Sequence, residues 1–127
     1  MQQTYALKIV LIGAPDTAGR SREIMSLRTQ KPLDLTGQTS LAQTTSLLRR
    51  SRLLVSNDSG PVHIASAVGI YVVSLFMRNQ PGINPERWKP LSDKGICLFS
   101  PKGLQVEDVL EAVDKVFRKD YQKFFHW

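Results

Sequence analysis

The sequence predicts an α/β protein with a doubly wound, mostly parallel sheet of about five strands and helices on both faces. Short aliphatic runs alternate with segments of helical spacing along the chain, and repeated strand–helix–strand units form right-handed crossovers in a parallel sheet. The first run, Lys8–Ile12, is also nearly continuous, which is typical of a strand covered on both faces.

The five predicted strands are short apolar or β-branched runs, most of which end at a turn signal. They are residues 8–12, 32–35, 53–56, 71–76 and 96–99. The segment 78–94 contains three prolines and is expected to be an irregular loop between the last two strands. Cys97 is expected to be a buried strand residue and not a nucleophile. In a parallel sheet the loops that begin at Gly13, Gly37, Asp58 and Met77 should lie along one edge.

The predicted helices follow apolar side chains that recur at helical spacing. They are residues 21–28, 41–50 and 61–68, with a last helix that starts near Gln105, and Ser40 is the candidate cap of the second. The side chains expected to face inward are Ile24, Met25 and Leu27, then Leu41, Leu47 and Leu48, then Val106, Val109, Leu110, Val113, Val116 and Phe117.

The composition is that of one globular domain covering residues 1–127. Its net charge is +6, from 17 basic and 11 acidic residues, but the charge is dispersed, whereas a nucleic-acid binder shows a dense basic stripe. Part of the charge could attract an anionic substrate or an anionic membrane leaflet. One cysteine cannot form an intramolecular disulfide, so a reducing cytoplasm is the expected setting. No apolar run is long enough to span a bilayer.

Residues 57–69, Asn-Asp-Ser-Gly-Pro-Val-His-Ile-Ala-Ser-Ala-Val-Gly, carry the strongest functional signal. They follow an apolar strand, and Pro61 is favourable at a helix start because the missing N–H would be unpaired there. The free N–H groups of a first helical turn and the helix dipole attract anions, and His63 adds a donor in that turn. This pattern predicts a site for a phosphate or diphosphate.

This stretch resembles glycosyltransferase family 9, the bacterial heptosyltransferase group. The family pattern Asp-Thr/Ser-Gly-x-x-His-x-x-Ala-Ala is matched here by Asp58, Ser59, Gly60, His63, Ser66 and Ala67. The resemblance extends from residue 7 to about residue 117 and includes two earlier blocks, 7–13 and 35–41. It implies one half of a GT-B enzyme, namely the Rossmann-like domain that binds the nucleotide sugar, with the N-terminal acceptor domain absent.

The resemblance also implies roles for individual residues. Asp58, Ser59, Gly60 and His63 would bind the donor diphosphate and sugar, and the nucleoside-binding positions would be Gly13, Asp16, Gly37 and Thr39. The family usually has an acidic residue at the position of Pro15 or Thr17, so Asp16 is offset from it. The segment 76–82 departs most from the family, and Arg78 there could pair with phosphate. No catalytic residue, metal site or cofactor is predicted, and no Asp-x-Asp pair is present.

The implied activity is inverting sugar transfer, heptosyltransferase-like, from a nucleotide sugar such as ADP-heptose in lipopolysaccharide synthesis, with this chain inactive alone. A structural interpretation stays open for several residues: Asp58 as a helix cap, Ser59 and Gly60 as a turn, and Asp16 as a surface loop residue. The alternative function is a free-standing nucleotide-binding or regulatory module. A dehydrogenase-type domain is disfavoured, because no Gly-x-x-Gly pattern follows Gly13.

The tail, residues 118–127, combines aromatic and basic side chains. Its aromatic residues would reach the acceptor domain, or drive self-association if they are exposed. The competing interpretation is a peripheral anchor on the cytoplasmic membrane, in which Lys119 and Lys123 contact anionic lipid.

Overall fold

The computed structural model describes residues 7–27, 30–57, 59–76, 93–100 and 102–124, with side chains as far as Arg118. The chain divides into two compact units, with the boundary between Thr44 and Thr45. The single domain expected over residues 1–127 stays a prediction.

The first unit contains a pair of parallel strands. Strand β1 (Val10–Leu11) pairs with β2 (Leu33–Asp34), so that Val10 is opposite Leu33 and Leu11 opposite Asp34. Between the strands lie a 3₁₀ turn (Pro15–Thr17) and helix α1 (Ala18–Ser26). The 3₁₀ turn was not predicted from the sequence. Pro15 fixes φ for its first residue, and the Thr17 hydroxyl donates a 2.7 Å hydrogen bond to the Ala14 carbonyl.

The second unit contains three parallel strands in the order β3-β4-β5. They are β3 (Leu53–Asn57), β4 (Tyr71–Phe76) and β5 (Gly95–Phe99). Helix α2 (Leu41–Arg49) precedes β3, helix α3 (Gly60–Val68) connects β3 to β4, and helix α4 (Val106–Phe124) follows β5. All pairs in both sheets are parallel.

Helices cover both faces of the β3-β4-β5 sheet. On one face, Val73 of β4 packs with Ala112 and Val116 of α4. On the other face Val72, Ser74 and Phe76 are also almost fully buried, and α3 contacts both β3 and β4. Side chains alternate between faces along a strand, so α3 and α4 lie on opposite sides. This arrangement confirms the predicted α/β class with parallel sheets and helices. The predicted sheet of about five strands is observed as two separately paired sheets, one of two and one of three strands.

The end of α3 is fixed by both backbone and side-chain contacts. Gly69 adopts the left-handed region (φ 84°), and its N–H bonds to the carbonyls of Ala65 and Ser66. This is the usual way for glycine to end a helix. The Lys94 ammonium then donates a 2.9 Å hydrogen bond to the Gly69 carbonyl and lies 5.5 Å from the centre of the Tyr71 ring. The end of α3 is therefore attached to both β4 and the start of β5.

The strand predictions are confirmed, and the predicted helices appear within a few residues of their expected bounds. Several inward-facing predictions are wrong. Five apolar side chains predicted to face inward are at least 42% exposed: Ile24, Leu27, Leu41, Val106 and Leu110. Val113, Val116 and Leu48 are buried as predicted, and Ala112 is buried although it was not predicted. Cys97 lies in β5 as expected but is only half-buried.

Position along the helix explains part of these differences. Leu41 and Val106 are the first residues of their helices, and helical side chains point back toward the N-terminus. Both side chains therefore point past the N-terminal end of their helix and stay exposed to solvent. In α1 the buried residue is Ser21. The apolar side chains at helical spacing there, such as Ile24, are not covered by other described residues.

Among the described residues, no helix is both long and apolar enough to cross a membrane.

Asp34, at the end of β2, forms a local turn that stabilises its ionised form. The Thr36 backbone N–H donates a 2.9 Å hydrogen bond to Asp34 Oδ1. This bond, then the hydroxyls of Thr36 and Ser21, and then the charge of Arg22 lower the pKa of Asp34 below its ordinary value of 3.8. Burial acts weakly in the opposite direction.

Replacement of Asp34 by Asn should therefore lower stability near neutral pH and have a smaller effect in acid. A depressed pKa in the folded state gives stability that is complete above the ordinary pKa of 3.8 and is lost as the pH falls through the lower folded value. Urea unfolding at several pH values should show that the difference between the two proteins shrinks as the pH falls below 3.8. Asp34→Ala also removes the acceptor and should keep its deficit in acid. A difference between wild type and Asp34→Asn that persists unchanged in acid would contradict the assignment.

Candidate anion site at the start of helix α3

The predicted diphosphate site lies where β3 leads into α3. Ser59 is the N-cap residue, with extended backbone angles (φ −157°, ψ 166°), and Pro61 lies in the first turn as predicted. Val62 and Ala65 are fully buried on the inner side of the helix, whereas His63 is exposed. The packing of Val62 and Ala65 thus fixes the helix on the sheet and leaves His63 on the accessible side of the first turn.

The N-cap side chain of α3 does not cap the helix. The Ser59 hydroxyl makes no hydrogen bond to the first turn, and it lies 2.9 Å from the hydroxyl of Ser56 instead. Ser56 was not among the site residues predicted from the sequence. The signal for it is the Ser-x-x-Ser spacing of Ser56 and Ser59 across the strand–helix junction.

The neighbouring helices differ from α3 in this respect. At the start of α2 the Gln43 N–H donates to Ser40 Oγ (3.2 Å) and the Ser40 N–H donates to Gln43 Oε1 (2.9 Å). This is a capping box, and it confirms Ser40 as the cap. At the start of α4 the Gln105 N–H donates to Asp108 Oδ2 at 2.9 Å. Side chains therefore satisfy backbone donors at those two helix starts, while the N-cap side chain of α3 is directed elsewhere.

Gly60 leaves open space at the first turn of α3. A Cβ atom built on Gly60 would meet no heavy atom within 4 Å, and its φ is not in the left-handed region. The backbone conformation therefore does not require glycine here. What glycine provides is room, so that another molecule can approach the amides of the turn closely.

The predicted nucleoside-binding residues lie in the first unit, and two of them have a structural reason to be glycine. The Gly37 N–H donates to the Gly13 carbonyl at 2.8 Å, so the structure brings these two residues together after β1 and β2. A Cβ on Gly13 would lie 2.5 Å from Thr17 Oγ1. Gly37 has φ +72°, and its Cβ would lie 3.0 Å from the Pro15 Cα. The Thr17 side chain therefore accounts for Gly13, and the positive φ together with the Pro15 backbone accounts for Gly37.

Asp16 and Thr39 occupy different kinds of position. Asp16 is exposed in the 3₁₀ turn. The Thr39 hydroxyl lies 2.9 Å from the Thr44 hydroxyl, which fixes its side chain next to the start of α2. Their proposed nucleoside roles stay predictions.

Three predicted positions, Asp58, Met77 and Arg78, lie outside the described residues, as does most of the segment 78–94. Within the described ranges, no three His, Cys, Asp or Glu side chains are close enough together to hold a metal ion.

A family comparison matches almost the whole chain. The model of glycosyltransferase family 9 (heptosyltransferase) matches residues 1–114, which include both the 7–13 block and the β3–α3 junction.

Curated relatives are lipopolysaccharide enzymes that are much longer than this chain. Lipopolysaccharide heptosyltransferase 2 of Escherichia coli K12 is 32% identical over 91 residues, which cover 68% of this chain and 25% of that protein. The lipopolysaccharide core heptosyltransferase OpsX of Haemophilus influenzae is 40% identical over 50 residues, which cover 39% of this chain and 14% of that protein. The chain therefore spans a quarter or less of the length of these relatives.

Solved structures show the same fold. The chain superposes on the ADP-heptose LPS heptosyltransferase II of E. coli with a TM-score of 0.77 and 24% identity, covering 94% of this chain and 40% of that one. A family 9 glycosyltransferase of Veillonella parvula gives a TM-score of 0.67 with 23% identity, covering 88% and 30%. The parallel α/β arrangement described above is therefore that of GT-B glycosyltransferases.

Within α3, Ser66 takes the place of the first Ala of the family pattern. Its hydroxyl is buried and has no hydrogen-bond partner among the described residues. A buried hydroxyl without a partner costs about 1–3 kcal/mol. Ser66 therefore carries a local energetic cost that alanine would not.

Replacement of Ser66 by Ala should raise the free energy of unfolding by about 1 kcal/mol, because it removes this unpaired group from a helix in which Ala is favourable. Urea unfolding followed by circular dichroism measures the change. Ser51→Ala is the matched control, since the Ser51 hydroxyl donates to the Leu47 carbonyl at 2.9 Å and its loss should be destabilising. A lower stability for Ser66→Ala would show that the hydroxyl has a partner.

Proposed function

The chain belongs to glycosyltransferase family 9, the heptosyltransferase family, and we propose that its β3–α3 junction binds the diphosphate of a nucleotide-sugar donor. The transferase would be inverting and heptosyltransferase-like, acting in the synthesis of lipopolysaccharide or another cell-envelope glycan. One observation carries the proposal: the first turn of α3 has an exposed histidine, an open glycine and an N-cap side chain that is not used for capping.

Electrostatics favours a diphosphate at this position. The first turn of a helix carries partial positive charge on backbone N–H groups that lack a partner within the helix. In α3 these are few, because Pro61 has no N–H and the Val62 N–H donates to the Ser59 carbonyl at 3.1 Å. Gly60 allows close approach to the start of the helix, and the His63 imidazole can donate a hydrogen bond from the exposed side. Asp58 is negatively charged, so we propose that it contacts a sugar hydroxyl or a loop amide and not the phosphates.

The same groups would assist sugar transfer. When the acceptor displaces the nucleoside diphosphate, negative charge grows on the leaving group, and preorganised donors beside it stabilise the transition state. We assign this role to the start of α3 and to His63, without a metal ion. The acceptor site and the base that activates the acceptor hydroxyl would come from a part of the enzyme other than this chain. The chain alone should therefore bind the donor weakly and catalyse no transfer.

The nature of the donor is a further part of the proposal. One structural relative is named as an ADP-heptose heptosyltransferase, which supports an ADP-linked donor for this chain. Nucleoside contacts from Gly13, Asp16, Gly37 and Thr39 are proposed on the resemblance. A cytoplasmic setting, contact of the basic tail with anionic membrane, and self-association through the tail are proposals of the same kind, and the tail side chains after Arg118 lie outside the described ones.

Titration with ADP should shift the backbone amide resonances of residues 57–66. The cause is the diphosphate bound at the start of α3, whose charge changes the surroundings of the amides in this segment, and ¹⁵N–¹H spectra of the full chain measure it. UDP tests whether the nucleobase matters, since it has the same diphosphate. If neither nucleotide disturbs these residues, the donor-site proposal is wrong.

Replacement of His63 by Ala should weaken ADP binding about tenfold, because a hydrogen bond to a charged group contributes about 1.5–3 kcal/mol. His63 is exposed, so thermal stability should change little. The other histidine, His126, provides the matched control, and His126→Ala should bind ADP like the unaltered chain. An unchanged affinity in His63→Ala would remove this residue from the site.

A further inference from the structure

We infer that Ser56 is a positioning residue for the anion site, acting through a hydrogen bond that holds the hydroxyl of Ser59 beside the first turn of α3. This inference rests on the proposed function. It concerns a residue that lies in strand β3, outside the motif, and that acts only through Ser59.

The strand geometry places Ser56 on the side of the sheet that α3 covers. Leu53 and Val55 pack against the Val73–Ala112–Val116 cluster on the α4 side. Alternation along the strand then directs Leu54 and Ser56 to the opposite face. Ser56 and Ser59 are both half-buried, and their hydroxyl oxygens are 2.9 Å apart. A bond of this length between partly buried groups restricts the rotamers of both.

The Ser59 hydroxyl is held by Ser56 and not by the helix. A serine at this position normally accepts a hydrogen bond from the second or third residue of the helix, as Ser40 does in α2. Ser59 makes no such bond, because the second residue, Pro61, has no N–H and the third, Val62, donates to the Ser59 carbonyl at 3.1 Å. The Ser59 hydroxyl therefore stays beside the first turn with Ser56 as its partner.

An anion also determines the direction of the bond. A hydroxyl has one proton to donate and two lone pairs that accept, and either serine can be the donor in the free chain. With a diphosphate at the first turn, the Ser59 proton points to a phosphate oxygen and Ser56 donates to Ser59. Donation from Ser56 increases the polarity of the Ser59 O–H, because hydrogen bonds in a chain polarise one another. Ser59 is then the contact, and Ser56 orients it.

Ser74 provides a matched control on the adjacent strand. It is opposite Ser56 in the β3–β4 register, so its side chain lies on the same face of the sheet. Ser74 is fully buried, and its hydroxyl has no partner among the described residues. Ser74→Ala therefore repeats the chemical change one strand away without touching Ser59.

The test is ADP binding by the full chain, measured by amide shifts for the unaltered protein and for Ser56→Ala, Ser59→Ala, the double variant and Ser74→Ala. Loss of one hydrogen bond predicts that Ser56→Ala weakens binding about fivefold. In the Ser59→Ala background the same change should have no further effect, because Ser56 acts only through Ser59.

Ser56→Thr retains the hydroxyl and should restore binding. Ser74→Ala should bind normally. Thermal unfolding of each variant identifies any loss of fold.

The outcomes separate this inference from the function on which it rests. If the unaltered chain binds ADP at residues 57–66 and Ser56→Ala binds equally well, Ser56 has no positioning role and the proposed function stands. If the losses of ADP affinity in Ser56→Ala and Ser59→Ala multiply in the double variant, Ser56 does not act through Ser59 and the inference is wrong. It is also wrong if Ser74→Ala loses as much affinity as Ser56→Ala. If the unaltered chain does not bind ADP, the proposed function and the inference fall together.

Discussion

The burial of α3 against β3 and β4 is the constraint on which the candidate site depends. Val62 and Ala65 are completely excluded from solvent, and full burial of a side chain such as that of Val62 contributes about 1.5–3 kcal/mol. With these side chains facing the sheet, the angular position of every other residue on the helix is determined. His63 must then face outward beside the start of the helix. The hydrophobic contact, and not any polar group, therefore sets the direction in which the polar groups act.

Helix starts in this chain serve two different purposes. At α2 and α4, side chains within the same turn satisfy backbone donors, through Ser40 with Gln43 and through Asp108. These contacts stabilise the free protein and leave little for a ligand. At α3 the N-cap hydroxyl bonds back to the strand. Such a start contributes less to the stability of the free chain, which agrees with the general tendency of binding sites to sacrifice stability for interaction.

The sequence was informative where one physical effect dominates. Continuous aliphatic runs predicted five parallel strands, and glycine, proline and cap signals placed the helix starts within a few residues. Burial was less predictable, since Ile24 and Val113 look alike in a periodic pattern and only Val113 has a facing layer. Side-chain pairs such as Ser56 with Ser59 were missed, because spacing does not reveal which of several competing bonds a hydroxyl makes. Family resemblance identified the positions of the motif, but the hydrogen bonds of its side chains, such as that of Ser59, are visible only in the structure.

The Lys94 contact has a consequence for how α3 can respond to its surroundings. The Lys94 ammonium contacts both the Gly69 carbonyl, just after the helix, and the ring of Tyr71, the first residue of β4. The left-handed Gly69 turn closes the same end of the helix. The end distant from Ser59 is thus held by its own contacts, and the buried Val62 holds the beginning of the helix against the sheet. With both ends fixed, the start of α3 has its geometry before any ligand arrives, so binding there requires no reordering of the helix.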